Sequence, residues 1–177
     1  DVQHVNNWDA QYWVDECRDW HDENWDAIVA DMKAMGLDTV ILTNCAIWGR
    51  PLYPANPRTV GRQLPMPCQD PVGAIVRAAD KNGMSIYLGL GAFGRYSINA
   101  NPDLSPEHDT WLGNMAEDLL ENYGRFKAMK GFYITAEAHG IKEGGLFAQD
   151  DCDKTARFVQ SIRERVKETK IMMSPAN

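Results

Sequence analysis

Apolar residues recur along this chain in two alternating periods. From 22 to 35, Trp25, Ile28, Val29, Met32 and Met35 are spaced by three and four, which predicts one face of a helix. Asp22 suits its N-cap and Gly36 its stop. Thr39-Val40-Ile41-Leu42-Thr43 follows. A β-branched, nearly continuous apolar run of this length predicts a strand covered on both faces, as in a parallel sheet. The alternation then repeats. Asp70-Pro71 is an N-cap with proline at the first helical position, Val72, Ile75, Val76 and Ala79 form the stripe, and Gly83 ends it. Residues 84–90 read as the second strand. Ser105-Pro106 opens a helix carrying Leu112, Met115, Leu119 and Leu120 that stops near Gly124. Residues 131–135 are the third strand. Asp150 or Asp151 caps a helix with Ala156, Val159, Ile162 and Val166, and residues 170–175 are the fourth strand.

Strands alternating with helices predict parallel βα units. The strands start near 39, 84, 131 and 170. The loops 44–69, 91–105 and 138–149 are therefore long, and all three follow the C-terminal end of a strand. In parallel α/β folds that edge carries the ligand sites.

Composition narrows the function. A hydrophobic fraction of 44% with 24% charged residues is that of a soluble globular protein. The net charge of −7 argues against a binder of nucleic acid, and no apolar run approaches the roughly 18 residues of a membrane span. Asp1-Val2-Gln3-His4 lacks the basic start of a signal peptide and an initiator Met, so the chain is expected to be processed, trimmed or excerpted. Cys17, Cys45, Cys68 and Cys152 form no CxxC pair and read as buried or idle thiols. Trp25 belongs to the helical stripe and reads as core, whereas Trp8 and Trp13 could line a site or plug a barrel mouth.

Several chemistries are disfavoured. Gly89-Leu90-Gly91-Ala92-Phe93-Gly94 has glycines at dinucleotide spacing, but loop rather than helix follows; their expected role is to let the backbone pass close to a ligand or a neighbouring strand. No GxSxG elbow, HxH or HExxH is present. Glu137-Ala138-His139 could offer two metal ligands, but no third partner is evident, so neither a metal nor a cofactor is expected.

Glu137 is the sharpest signal. An apolar strand runs directly into its carboxylate, and a carboxylate at the C-terminal tip of a barrel strand reads as catalytic. Apolar surroundings would desolvate it, the condition a general acid near neutral pH requires. The competing reading is a solvated loop glutamate or an ion-pair partner of Arg50 or Arg95. Trp48, Tyr53, Phe93 and Tyr96 lie just past strand ends and suit stacking on sugar faces, while Asn44, Arg50, Arg95, His139 and Asn177 suit sugar hydroxyls.

Residues 25–42, 78–90 and 123–137 together with Met173-Ser174-Pro175 resemble, in order, a group of bacterial TIM-barrel proteins related to glycoside hydrolases and catalogued as a domain of unknown function. The resemblance spans most of 22–175. Phe132 stands where that pattern often has Trp. It implies a (β/α)₈ barrel acting on carbohydrate, with Glu137 at the end of the fourth strand as general acid/base. The nucleophile would lie on a seventh strand that this chain does not reach.

The expected architecture is thus α/β, with residues 1–177 as the N-terminal part of one barrel catalytic domain and about the first five βα units if residues 2–5 finish the first strand. A barrel typically needs about 250 residues. The rest is expected as a second chain, a further segment, or a copy joined through the open edge. The expected function is a glycoside hydrolase taking an oligosaccharide or glycoside, secreted or periplasmic. A noncatalytic carbohydrate-binding barrel is the alternative, and a metal-dependent barrel enzyme the third reading.

Overall fold

The computed structural model describes residues 17, 19–47, 50–56, 58–59, 63, 66–91, 106–139 and 149–176, with backbone alone at 47, 106–108, 135–139, 149–155 and 174–176. Among them are helices α1 (Asp22–Ala34), α2 (Pro71–Lys81), α3 (Pro106–Tyr123) and α4 (Gln149–Val166). The strands are β1 (Thr39–Leu42), β2 (Ala46–Ile47), β3 (Arg50–Pro51), β4 (Ser85–Gly89), β5 (Met129–His139) and β6 (Lys170–Ala176). Every helix and strand expected between 22 and 175 is present. The strand expected at residues 2–5 lies outside the described residues, as do Trp8 and Trp13.

Local chemistry explains the boundaries. The Asp70 side chain caps α2 by accepting from the Gly73 N–H at 2.9 Å, and Pro71 occupies the first turn, where its missing N–H costs nothing. For α1 the cap position is His21 rather than Asp22. The Asn24 side chain accepts from the His21 N–H at 2.9 Å, and Asp22 becomes the first helical residue, where its charge favours the helix N-terminus. Met35 leaves the predicted stripe: the helix ends at Ala34, and Met35, at the C-cap, is 70% exposed. Trp25 is core as expected, with Trp20 packed edge-on at 4.4 Å between ring centroids.

The main sheet has the order β1-β4-β5-β6, all parallel, each strand beside the next parallel strand in the chain. Right-handed crossovers that always step in one direction place all the helices on one face. Val40, Leu42, Ile86, Leu88, Phe132 and Ile134 are buried, while the alternate residues Ile41, Tyr87 and Tyr133 are half-buried. Burying each large apolar side chain contributes roughly 1.5–3 kcal/mol. Singly wound sheets of this kind curve into barrel walls; doubly wound sheets reverse direction and carry helices on both faces.

The helices are also tied to each other. Arg77 of α2 reaches Asp22 at 3.1 Å and Asp70 at 3.2 Å, and Lys81 reaches Asp26 of α1 at 2.7 Å. Asp80 accepts from the Ala128 N–H at 2.8 Å, fixing the entry to β5 against the end of α2. No described helix is long and apolar enough to cross a membrane.

Candidate functional site

The C-terminal edge of the sheet is assembled by close backbone approach. Leaving β1, the chain bends over the end of β4: the Cys45 N–H donates to the Gly89 carbonyl at 2.9 Å, and Asn44 bridges Leu90. A Cβ on Gly89 would lie 1.9 Å from the Thr43 carbonyl oxygen, and one on Gly91 (φ +74°) 1.7 Å from that of Ala46. Of the two roles expected for these glycines, the structure shows close approach of a neighbouring chain segment.

The chain then forms an antiparallel hairpin of β2 and β3, with Ala46 opposite Pro51 and Ile47 opposite Arg50. The sequence reading placed only loop here, because two-residue strands are too short to show a period. Beyond the hairpin, Leu52 and Tyr53 are fully buried.

β5 extends further than the predicted strand. Its pairing with β4 ends at Gly89 opposite Tyr133. Its pairing with β6 becomes irregular between Ile134 and Ala138, then resumes with Ala138 opposite Pro175 and His139 opposite Ala176. Glu137 therefore lies at the sheet's C-terminal edge, within the irregular stretch. Irregularities of this kind re-aim side chains and are frequent beside active sites. Nothing in the sequence pattern announced it.

The predicted site residues fall into three groups. Glu137 and His139 are placed at the strand end, while Asn44 (1% exposed) and half-buried Arg50 flank the end of β1. Tyr53 has a different role from the sugar-stacking one expected. It is 0% exposed and packs edge-on against Tyr123, 6.3 Å between centroids, so its ring is committed to the core. Trp48, Phe93, Arg95, Tyr96 and Asn177 lie outside the described residues.

A second polar cluster, missed in the sequence, sits between α2, α3 and the segment after the hairpin. The Tyr123 hydroxyl donates to Asp70. Asp118 of α3, 3% exposed, accepts from the Asn56 N–H at 2.8 Å and the Thr59 hydroxyl at 3.2 Å. Burial, followed by the charge of the neighbouring aspartate, pushes the hydroxyls of Tyr53 and Tyr123 well above the usual tyrosine range, and does the same to the Cys45 thiol. Burial and a bond to Asp22 push Cys68 up to about 12. Cys17, Cys45 and Cys68 are free and buried. Among the described residues, no group of three or more His, Cys, Asp or Glu is arranged to hold a metal ion.

Comparison with known proteins adds three findings. A family model described as a domain of unknown function (DUF4434) matches residues 7–176. No curated protein sequence matches. Among solved structures, the chain is similar to a protein of Bacteroides thetaiotaomicron assigned as an alpha-L-fucosidase: TM-score 0.67, 24% identity, covering 88% of this chain and 46% of that one. It is also similar to an endocellulase of Pyrococcus horikoshii in complex with cellotetraose: TM-score 0.60, 13% identity, covering 86% of this chain and 45% of that one. A second alpha-L-fucosidase of Bacteroides thetaiotaomicron, of the GH29 group, gives TM-score 0.53 at 17% identity, covering 88% and 36%. The chain spans less than half the length of each of these structures. They share its fold, so the four-stranded parallel sheet with its helices is part of a TIM-type α/β barrel.

Proposed function

The chain belongs to the DUF4434 family, and from that premise we propose that it forms part of a glycoside-hydrolysing barrel with Glu137 as general acid/base. One observation carries the reading: β5 delivers Glu137 to the C-terminal edge of a singly wound parallel sheet, at an irregularity in its ladder. That edge is where barrel enzymes place their chemistry.

The chemistry follows from the position. A carboxylic acid there protonates the leaving glycosidic oxygen as the bond to the anomeric carbon breaks. A second carboxylate, about 5–5.5 Å away for retention or about 6.5–9.5 Å for inversion, completes the reaction. We place it in the rest of the barrel, which would continue the sheet beyond β6. Arg50 and His139 bind hydroxyls, and Trp48, Phe93, Arg95, Tyr96 and Asn177 are assigned to contacts with the same sugar; Asn44, 1% exposed, is closed off from a ligand at the end of β1. Export to the periplasm or the medium suits such a substrate.

The test is turnover of 4-nitrophenyl α-L-fucoside and cellotetraose by the full-length protein. Hydrolysis of at least one is expected. In Glu137→Gln, turnover of cellotetraose should fall by about 10²–10⁴, and that of the nitrophenyl glycoside, whose leaving group needs little protonation, much less. Unchanged turnover of a glycoside with a sugar leaving group removes Glu137 from the chemistry. Binding of sugars without any turnover points instead to a noncatalytic carbohydrate-binding barrel.

A further inference from the structure

We infer that Asp118, on the outer helix layer, is a positioning residue: it fixes the β2–β3 hairpin, and with it Arg50, at the C-terminal edge of the sheet. The hairpin is anchored in front by the Cys45–Gly89 bond and closed by the Leu52 N–H donating to the Cys45 carbonyl at 2.9 Å. Behind it, the Tyr53 ring is wedged against Tyr123, and the segment that follows is held to α3. One Asp118 oxygen accepts from both the Asn56 N–H and the Thr59 hydroxyl, while Arg58 reaches Glu121 at 2.9 Å and Glu117 at 3.4 Å. The Arg58 pairs are surface contacts of small value. The Asp118 contacts are buried and charge-assisted, so they dominate the anchor.

The consequence is a hairpin that is a fixed wall. A long loop left untethered would sample many arrangements and lose them on ligand binding. Tethered through Asp118, Arg50 is held in advance. Arg50 itself is half-buried at the start of β3. Asp118 acts through the hairpin and touches no ligand, and its effect on ligand affinity rests on the carbohydrate reading above.

The test compares Asp118→Ala, Asp118→Asn and Thr59→Val in the full-length protein. Hydrogen exchange at the Cys45, Leu52 and Asn56 amides is measured alongside KM and kcat for whichever of 4-nitrophenyl α-L-fucoside and cellotetraose the wild type hydrolyses. Asp118→Ala should raise exchange at these amides and KM about tenfold, with kcat within about twofold and β6 exchange unchanged. Asp118→Asn keeps an acceptor oxygen and should restore both to within about threefold. Thr59→Val removes only the hydroxyl contact and should give a smaller rise of about threefold, which serves if Asp118→Ala does not fold. Unchanged exchange, or loosened amides with unchanged KM, overturns the inference. If the wild type hydrolyses neither sugar, the KM readout falls away with the hydrolytic reading, and exchange at Cys45 and Leu52 alone decides the anchor.

Discussion

Asp70 and Asp118 lie in the helix layer, where each is occupied. Asp70 caps α2, accepts from Tyr123 and pairs with Arg77, while Asp118 accepts from Asn56 and Thr59. Glu137 is placed by a strand, at the point where the β5–β6 ladder loses its register. The first two carboxylates are consumed by architecture, since their oxygens neutralise donors that the fold would otherwise bury unpaired. The third owes its position to the sheet and sits where substrates enter barrels. The carboxylate proposed as catalytic is therefore singled out by the element that delivers it; acidity or burial alone would have pointed to Asp118.

The contrast can be broken by substitution. The largest effect is expected for Asp70→Ala, which removes a helix cap and the charged partner of a buried hydroxyl, together about 2–4 kcal/mol. If Glu137 serves the reaction and not the fold, Glu137→Ala should change stability by only about 0.5 kcal/mol. Urea titration of both variants checks this, and equal losses would erase the distinction. Next comes Gly91→Ala. The new methyl would meet the Ala46 carbonyl at a positive φ, with strain of about 1–3 kcal/mol read as a lowered melting temperature.

A smaller effect, about 1 kcal/mol, is expected for Tyr123→Phe, together with a change in pH dependence. In the folded chain Tyr53 and Tyr123 hold their protons above the ordinary value of 10.0. The unfolded chain releases them near that value. Their contribution is thus complete below 10.0 and is lost as pH rises past it. Denaturation midpoints measured across this pH should fall less steeply in Tyr123→Phe than in the wild type. The smallest effect belongs to Lys81→Ala, which breaks an exposed pair with Asp26 worth about 0.2–1 kcal/mol, with salt dependence to match.

The helix layer was legible in the sequence because its signals are local. Asp70-Pro71 with the Val72, Ile75, Val76 and Ala79 stripe specifies α2 almost to the residue, and the β-branched runs specify β1 and β4. Their singly wound order was not visible in periodicity; it entered through the family resemblance, and the solved structures bear it out. The site was legible only in part. The position of Glu137 at a strand end was legible because an apolar run ends on it. Tyr53 was misread because sequence position near a strand end cannot reveal that the ring turns inward against Tyr123. Asp118 was missed because its partners are about sixty residues away. The β5 irregularity was missed because a slip in register depends on both strands.

The central claim concerns proton donation by Glu137, and leaving-group dependence tests it most directly. In the full-length protein, kcat/KM of Glu137→Gln relative to wild type should be measured for a natural glycoside and for its 4-nitrophenyl counterpart. A sugar alkoxide needs a proton to depart and 4-nitrophenolate hardly does. The account predicts a loss of about 10²–10⁴ for the natural glycoside and a much smaller one for the nitrophenyl substrate. Equal losses for both, or none for either, would contradict it.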